Sequence, residues 1–112
     1  MRLSALVLAV LLAAPPAAAE PPARAIEAVI ADQIADFQRD DFTAAFEHAS
    51  PDIRRMFGTP RNFGRMVMNG YPMIWRPARW EWRGLEARGP GWVQTVLFVD
   101  EAGRMFEADY AM

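Results

Sequence analysis

The chain has 112 residues, with 12 basic side chains that are all Arg, 14 acidic side chains, one His and no Cys. A formal net charge of −2 disfavours binding to nucleic acid or to anionic lipid surfaces. Because there is no Cys, no disulfide can form, and a domain of this size must be stabilised by packing alone. Hydrophobic residues make up 53% of the sequence, which supplies one core and argues against disorder.

The N-terminus has the pattern of a secretory signal. Arg2 precedes an apolar run over residues 3–14, and small residues then lead to Ala17-Ala18-Ala19, a cleavage site of the A-x-A type. A helix over this run would rise only ~18 Å, which is too short for a bilayer core of ~30 Å. We therefore predict a signal peptide over residues 1–19, export to the periplasm or secretion, and a single domain over residues 20–112. No membrane span is expected after cleavage.

The pattern from Ala23 onward predicts a long amphipathic helix. Apolar residues recur at three- and four-residue steps and would form one buried stripe: Ile26, Val29, Ile30, Ile34 and Phe37. Charged residues between them are expected to face water: Arg24, Glu27, Asp32, Asp36 and Arg39.

Three short helices should follow, each with its own start signal. Asp40-Asp41 can cap the first of them. Ser50-Pro51 and Thr59-Pro60 each combine an N-cap with Pro at the first helical position, and Gly58 and Asn69-Gly70 are stop signals. The buried faces of the three helices are predicted to be Phe42, Ala45, Phe46 and Ala49; then Ile53, Met56 and Phe57; then Phe63, Met66 and Val67.

Beyond Tyr71-Pro72 the period becomes that of strands. We expect extended segments over 73–75 and 80–85, a turn over 89–91, a strand over 92–99, a hairpin loop over 100–103 and a last strand over 104–112. In the last strand, one face should carry Phe106, Ala108, Tyr110 and Met112, and the other Glu107 and Asp109.

Helices followed by an antiparallel meander indicate an α+β fold, with the N-terminal helices packed on a curved sheet. The last strand would present an open edge. We favour a missing further strand as the reason, over a partner that covers the edge.

Most catalytic and metal chemistries lack the residues they need. Ser50 is assigned to a helix cap, and His48, two positions away, does not share its helix face, so a Ser-His-acid triad is disfavoured. One His without Cys offers no ligand pair for zinc or copper, and Asp40-Asp41 is assigned to capping. We predict no metal and no other cofactor, and His48 is expected to be a partly exposed helix residue.

Carboxylate acid–base chemistry is the one enzymatic class that stays open. The candidate acids on the strands are Glu81, Glu107 and Asp109, with Tyr71 or Tyr110 as hydrogen-bond donor. Strand parity places Glu107 and Asp109 opposite the apolar face, so we do not favour catalysis.

Residues 71–83 interleave three Trp with three Arg. This pattern fits a stacking platform for an aromatic, sugar or anionic ligand, with Arg supplying bidentate donors. The structural interpretation, which we favour, is that Trp80 and Trp82 fill the core face while Arg79, Glu81 and Arg83 pair on the outside. Nucleic-acid stacking does not fit the acidic total or the export signal.

Several motifs together resemble a known family. They are Phe37-x-x-Asp40-Asp41, the runs over 45–53 and 57–67, and Gly70-Tyr71-Pro72 followed by Arg76-Pro77. Over about residues 24–112 the chain resembles the small exported bacterial proteins grouped as domain of unknown function 4864. The resemblance implies a nuclear transport factor 2-like (cystatin-like) cone and brings no activity. It also implies a further strand, carrying a Trp, that this sequence lacks after Tyr110.

The leading functional hypothesis is a non-catalytic module that binds a small molecule or a protein in an apolar concavity. The residues predicted to line it are Phe63, Met66, Tyr71, Arg76, Trp80, Trp82, Phe98 and Tyr110. One alternative is a lyase or isomerase that uses a buried carboxylate and a Tyr. The other is an assembly role, such as a homodimer formed through the open edge strand.

Overall fold

The computed structural model describes residues 22–112 and the backbone of Arg2–Leu3. The helices are α1 (Ala23–Gln38), α2 (Phe42–Glu47), α3 (Pro51–Phe57), α4 (Pro60–Gly70) and α5 (Pro72–Trp75). The strands are β1 (Arg2–Leu3), β2 (Arg79–Arg88), β3 (Gly91–Val99) and β4 (Met105–Ala111). Helices α1 to α5 therefore precede the antiparallel strands β2, β3 and β4, which confirms the α+β class. The predicted signal peptide and its cleavage point lie outside the described residues, apart from the backbone of β1.

The sheet has the strand order β1-β4-β3-β2. β2, β3 and β4 form the predicted antiparallel meander, and β1 runs parallel to β4, with Arg2 opposite Glu107 and Leu3 opposite Ala108. The register places Trp80, Phe98 and Phe106 in one row across the sheet, and Trp82, Val96 and Ala108 in the next. These two rows belong to the same apolar cluster as the helices, so this face of the sheet is the core face.

The predicted parity of β4 is confirmed. Phe106, Ala108 and Tyr110 are buried in the core, whereas Glu107 and Asp109 are half-buried on the opposite face. Alternation along the strand explains the separation, because successive side chains point to opposite sides of a sheet. The strand acids therefore lie on the side of the sheet away from the helices.

The favoured interpretation of β2 is also confirmed. The rings of Trp80 and Trp82 are half-buried against the core and meet edge to face at 4.9 Å between centroids. On the outer face, Glu81 lies 3.6 Å from Arg79 and 3.2 Å from Arg83. Because these acid and guanidinium groups are about half exposed, the pairs contribute little to stability.

All three predicted N-caps are confirmed. Asp41 accepts a hydrogen bond from the amide of Ala44 at 3.1 Å, Ser50 from that of Ile53 at 3.2 Å, and Thr59 from that of Asn62 at 3.2 Å. Each cap satisfies one of the amides that have no partner in the first turn of a helix.

Three expectations were wrong. Residues 73–75 belong to the short helix α5 rather than to a strand, because Pro72 suits the first helical position and the carbonyl of Tyr71 accepts from the amides of Ile74 and Trp75.

The other two concern burial. Met56 is 72% exposed, since the short helix α3 needs only Ile53 and Phe57 against the core. Asp36 is buried rather than wet, because the buried surface of α1 extends beyond its apolar stripe.

Candidate ligand-binding site

A cavity of about 560 Å³ lies between α5 and the loop that joins β3 to β4. Its apolar lining comes from Pro72, Met73, Trp75, Ala102 and Phe106, and its charged lining from Arg76, Asp100, Glu101 and Arg104. Small-ligand pockets in proteins have volumes of about 300–1,000 Å³ and are mainly apolar with a few placed polar groups. The size and lining of this cavity agree with that pattern.

One wall of the cavity is fixed by Asp40, at the end of α1. Its Oδ1 accepts from the Trp75 indole Nε1 and from Arg76 Nη2, both at 2.8 Å. These hydrogen bonds, from Trp75 first and then Arg76, lower the pKa of the Asp40 carboxyl below its ordinary value, so it remains ionised at neutral pH. The backbone of Asp40 has φ +57°, a left-handed conformation that Asp tolerates better than most residues.

The guanidinium of Arg76 is held from several directions. Its Nη1 donates to the carbonyls of Phe37 at 2.8 Å and Trp75 at 3.2 Å, and its carbon lies 4.4 Å from the centre of the Trp75 ring. Cation–π contact of this kind adds to the hydrogen bonds with Asp40. Arg76 and Trp75 therefore form one rigid unit with the end of α1.

The opposite wall is fixed by Asp100. Its Oδ1 accepts from the amides of Ala102 at 3.0 Å and Arg104 at 2.9 Å, and its Oδ2 accepts from Arg104 Nε at 2.6 Å. Burial raises the pKa of the Asp100 carboxyl, but the hydrogen bonds from Arg104 and Ala102 outweigh it and lower the pKa overall. This carboxylate therefore orders the loop and orients Arg104.

The structure places the eight residues predicted to line a pocket in two locations. Arg76 lines the cavity. The other seven pack in or against the core: Phe63, Phe98 and Tyr110 are fully buried, and Met66, Tyr71, Trp80 and Trp82 are half-buried. The prediction that all eight form one ligand-binding surface stays a prediction.

Sequence reasoning missed the other residues of the cavity because they are far apart in the chain. Trp75 belongs to the segment in which Trp and Arg interleave. For Asp100, Glu101 and Arg104, however, the sequence pattern predicts only a hairpin loop and the start of a strand. One signal in the sequence was Tyr71-Pro72, which repeats the X-Pro start of α3 and α4. It indicates a turn of helix over the following residues, which include Trp75.

A second polar cluster joins α1 to α2 and was also missed. Asp36 Oδ1 accepts from Arg39 Nη2 at 2.6 Å, and His48 Nε2 lies 3.4 Å from Asp36 Oδ2 without hydrogen-bond geometry. Nearby, Gln33 Nε2 donates to the carbonyl of Ala45 at 3.0 Å. His48 is partly exposed, as expected, and ends α2.

Burial is the largest influence on the Asp36 carboxyl and raises its pKa. His48 and then Arg39 act in the opposite direction, and Asp41 and Asp32 add smaller increases. Because Arg39 and His48 both already face this carboxylate, its geometry fits a link between two helices better than a reactive acid.

Within residues 22–112, no three His, Cys, Asp or Glu side chains are close enough together to hold a metal ion. None of the helices described above is long and apolar enough to cross a membrane.

Comparison with known protein families gives a match over most of the chain. A family model described as a domain of unknown function (DUF4864) matches residues 19–112. No curated protein and no solved structure matches the chain. Because the family model covers well over half of the sequence, the protein belongs to the DUF4864 family, as its helical motifs indicated.

Proposed function

We propose that this protein is a non-catalytic module that binds a small, mainly apolar ligand in the cavity between α5 and the β3–β4 loop. The observation that carries the proposal is a cavity of about 560 Å³ whose lining combines apolar side chains with the guanidinium groups of Arg76 and Arg104. The main apolar side chains are Met73, Trp75 and Phe106. Apolar walls supply most of the affinity in such sites, and a few fixed polar groups supply orientation.

The rigidity of both walls supports this proposal. Asp40 holds Trp75 and Arg76 on one side, and Asp100 holds the loop and Arg104 on the other. A site whose polar groups are already oriented loses less conformational entropy when a ligand binds.

Asp100 and the acids of the last strand are poor candidates for catalysis. Asp100 uses both oxygens to accept hydrogen bonds, and its lowered pKa makes it a weak base. Glu107 and Asp109 lie on the sheet face away from the helices. The lyase or isomerase alternative therefore lacks a suitably placed strand carboxylate.

A blocking substitution tests the proposal. Ala102 is exposed on the loop and lines the cavity, so Ala102→Trp should fill part of it. The control is Ala87→Trp, at an exposed position on β2 that does not line the cavity and where a strand tolerates Trp. Both variants should be titrated calorimetrically and by thermal shift with neutral, anionic and cationic two-ring aromatic compounds.

We expect at least one of these compounds to bind and to raise the melting temperature. At ten times its Kd, a ligand adds about 1.4 kcal/mol to the free energy of unfolding, which corresponds to a shift of several degrees for a domain of this size. Ala102→Trp should weaken binding at least about tenfold, and Ala87→Trp should leave it unchanged. Failure of every compound to bind, or binding that is indifferent to Ala102→Trp, would refute the proposal.

We also propose that the chain is exported and loses residues 1–19. The support is the sequence of a basic residue, a short apolar run and an A-x-A site. Mass spectrometry of the protein recovered outside the cytoplasm should give an N-terminus at Glu20. A protein that keeps Met1 and stays in the cytoplasm would contradict this.

A further inference from the structure

We infer that the ligand of this cavity is a monocarboxylate on an apolar, preferably aromatic, body, bound through Arg104 and Arg76. The inference rests on the proposed function and adds the chemical class of the ligand. It depends on which donors of the two guanidinium groups are already used.

Arg104 has a free pair of donors. Its Nε is bonded to Asp100 at 2.6 Å, while its two terminal amino groups have no hydrogen-bond partner among residues 22–112. The side chain is 73% exposed, so these groups are accessible from the cavity mouth. The two terminal amino groups of a guanidinium match the two oxygens of a carboxylate, which gives a bidentate, charge-assisted contact.

Arg76 has one N–H donor, at Nε, that is unused among residues 22–112. Its two terminal nitrogens are bonded to Phe37, Trp75 and Asp40, and only Nε is without a partner in the described part of the chain. Because this guanidinium is already immobilised, it can add one directed hydrogen bond with little further loss of entropy. Because Arg76 and Arg104 line the same cavity, we assign Arg76 as a second, weaker anchor for the anion.

The charge balance of the cavity disfavours a dianion more than a monoanion. Asp40 offsets Arg76, Asp100 offsets Arg104, and Glu101, which makes no ion pair within residues 22–112, adds a negative charge at the rim. Since the site has no excess of positive charge, a doubly charged phosphate would be repelled more strongly than it would be held. A carboxylate can still bind, because recognition by Arg104 is short-range and directional.

The apolar residues of the lining determine which kind of hydrophobic group the ligand carries. Met73 and Phe106 are buried apolar side chains at the cavity, and Trp75 adds a large half-buried ring. Aromatic rings pack well against Trp and Phe in offset or edge-to-face arrangements, and thioethers also favour contact with rings. A cationic body is less suitable, because Asp40 and Asp100 already have partners and only the exposed Glu101 is free to meet it.

Three probes that share one ring system test the inference: 2-naphthylacetate, 2-naphthylacetamide and 2-(2-naphthyl)ethylamine. Calorimetric titration of the whole protein at pH 7 should show the carboxylate binding at least about tenfold more tightly than the amide, because an ion pair with Arg104 replaces a hydrogen bond from its guanidinium to a neutral carbonyl. Arg104→Gln should reduce this preference to about twofold, because it weakens binding of the carboxylate much more than binding of the amide. Arg88→Gln, which removes the same charge at an exposed position at the end of β2, should leave both affinities unchanged.

The outcomes separate the two proposals. Equal affinity for the acid and the amide, with both weakened by Ala102→Trp, would overturn the carboxylate inference and leave the binding function intact. Tighter binding of the amine would also overturn it and would identify Glu101 as the anchor. If no probe binds the unaltered protein, or if Ala102→Trp affects none of them, both proposals fail. The comparison of probes on the unaltered protein does not depend on the folding of any variant.

Discussion

At the scale of single residues, Tyr110 presents an unusual environment for a phenol. The side chain is fully buried, and its hydroxyl has no hydrogen-bond partner among residues 22–112. Burial raises the pKa of Tyr110 far above its ordinary value, so the hydroxyl stays protonated. An unpaired buried hydroxyl costs about 1–3 kcal/mol of stability.

We therefore predict that Tyr110→Phe raises the free energy of unfolding by about 1 kcal/mol, because it removes the hydroxyl and leaves no protein group unpaired. Urea denaturation measures this change, with Tyr71→Phe, at a half-buried position, as a control of smaller effect. A loss of 1 kcal/mol or more in Tyr110→Phe would show that the hydroxyl has a bonding partner inside the domain.

Asp36 leads to a prediction about pH. Because its pKa is raised in the folded state, mainly by burial, the folded protein holds this proton more tightly than the unfolded chain. The contribution of Asp36 to the free energy of unfolding is therefore most favourable below the ordinary pKa of an Asp. This contribution is lost as the pH rises through the raised pKa of the folded protein. Asp36→Asn removes this dependence, so the variant should gain stability relative to the unaltered protein between pH 3.5 and pH 7.

The matched control is Asp52→Asn, which removes an exposed acid from an Asp–Arg pair with the same three-residue spacing. Denaturant titrations across the pH range should show the relative gain for Asp36→Asn only. If Asp36→Asn instead loses relative stability as the pH rises, the pairing with Arg39 and His48 outweighs burial, contrary to our account.

At the scale of elements, the contact between α2 and α4 is set by a glycine. A Cβ on Gly64 would lie 2.7 Å from Phe42 Cγ and 2.8 Å from its Cδ1, so Phe42 packs directly on the backbone of α4. We predict that Gly64→Ala lowers the free energy of unfolding by about 1–3 kcal/mol through overpacking, although Ala is the better helix former by about 1 kcal/mol.

Gly70 in the same helix provides the comparison, because a Cβ there meets nothing within 4 Å. Gly70→Ala should be neutral or slightly stabilising in the same thermal or urea unfolding measurement. Equal effects of the two substitutions would mean that helix propensity, and not the Phe42 contact, governs this interface.

Elements with strong local signals could be predicted from the sequence, and elements without them could not. The caps at Asp41, Ser50 and Thr59 are local, and so is the alternation in β4, which explains why α2 to α4 and the strand parity were predicted correctly. α5 has Pro72 at its start but no capping side chain and only four residues, so its local signal is weaker than those of α3 and α4. Its prediction as a strand failed for that reason.

At the scale of the whole molecule, the order of helices and strands could be predicted, but the cavity could not. Its lining joins residues 72–76 to residues 100–106, and no sequence period links such separate segments. Asp36 is a similar case, since tertiary packing of α2 overrode the polarity of a helical position. The nuclear transport factor 2-like cone stays a prediction.

The predicted homodimer through an open edge of β4 stays a prediction too. In this structure β1 pairs with β4 at Glu107 and Ala108, so that part of the edge is not open, and the charges on β4 weaken the prediction further. An antiparallel pair of β4 strands centred on Ala108 would place Glu107 of each copy opposite Asp109 of the other. Like charges directly opposite each other destabilise strand pairing.

The most direct test of the account is a chemical-shift map of the protein during titration with 2-naphthylacetate. We predict that the Met73 methyl, the Trp75 indole N–H and the amides of Ala102 and Arg104 shift with a single binding isotherm, because these groups surround the cavity. Signals of Trp82 and Phe63 should stay in place. Shifts concentrated at Trp80, Trp82 and Tyr71, with the cavity signals unchanged, would contradict the site proposed between α5 and the β3–β4 loop.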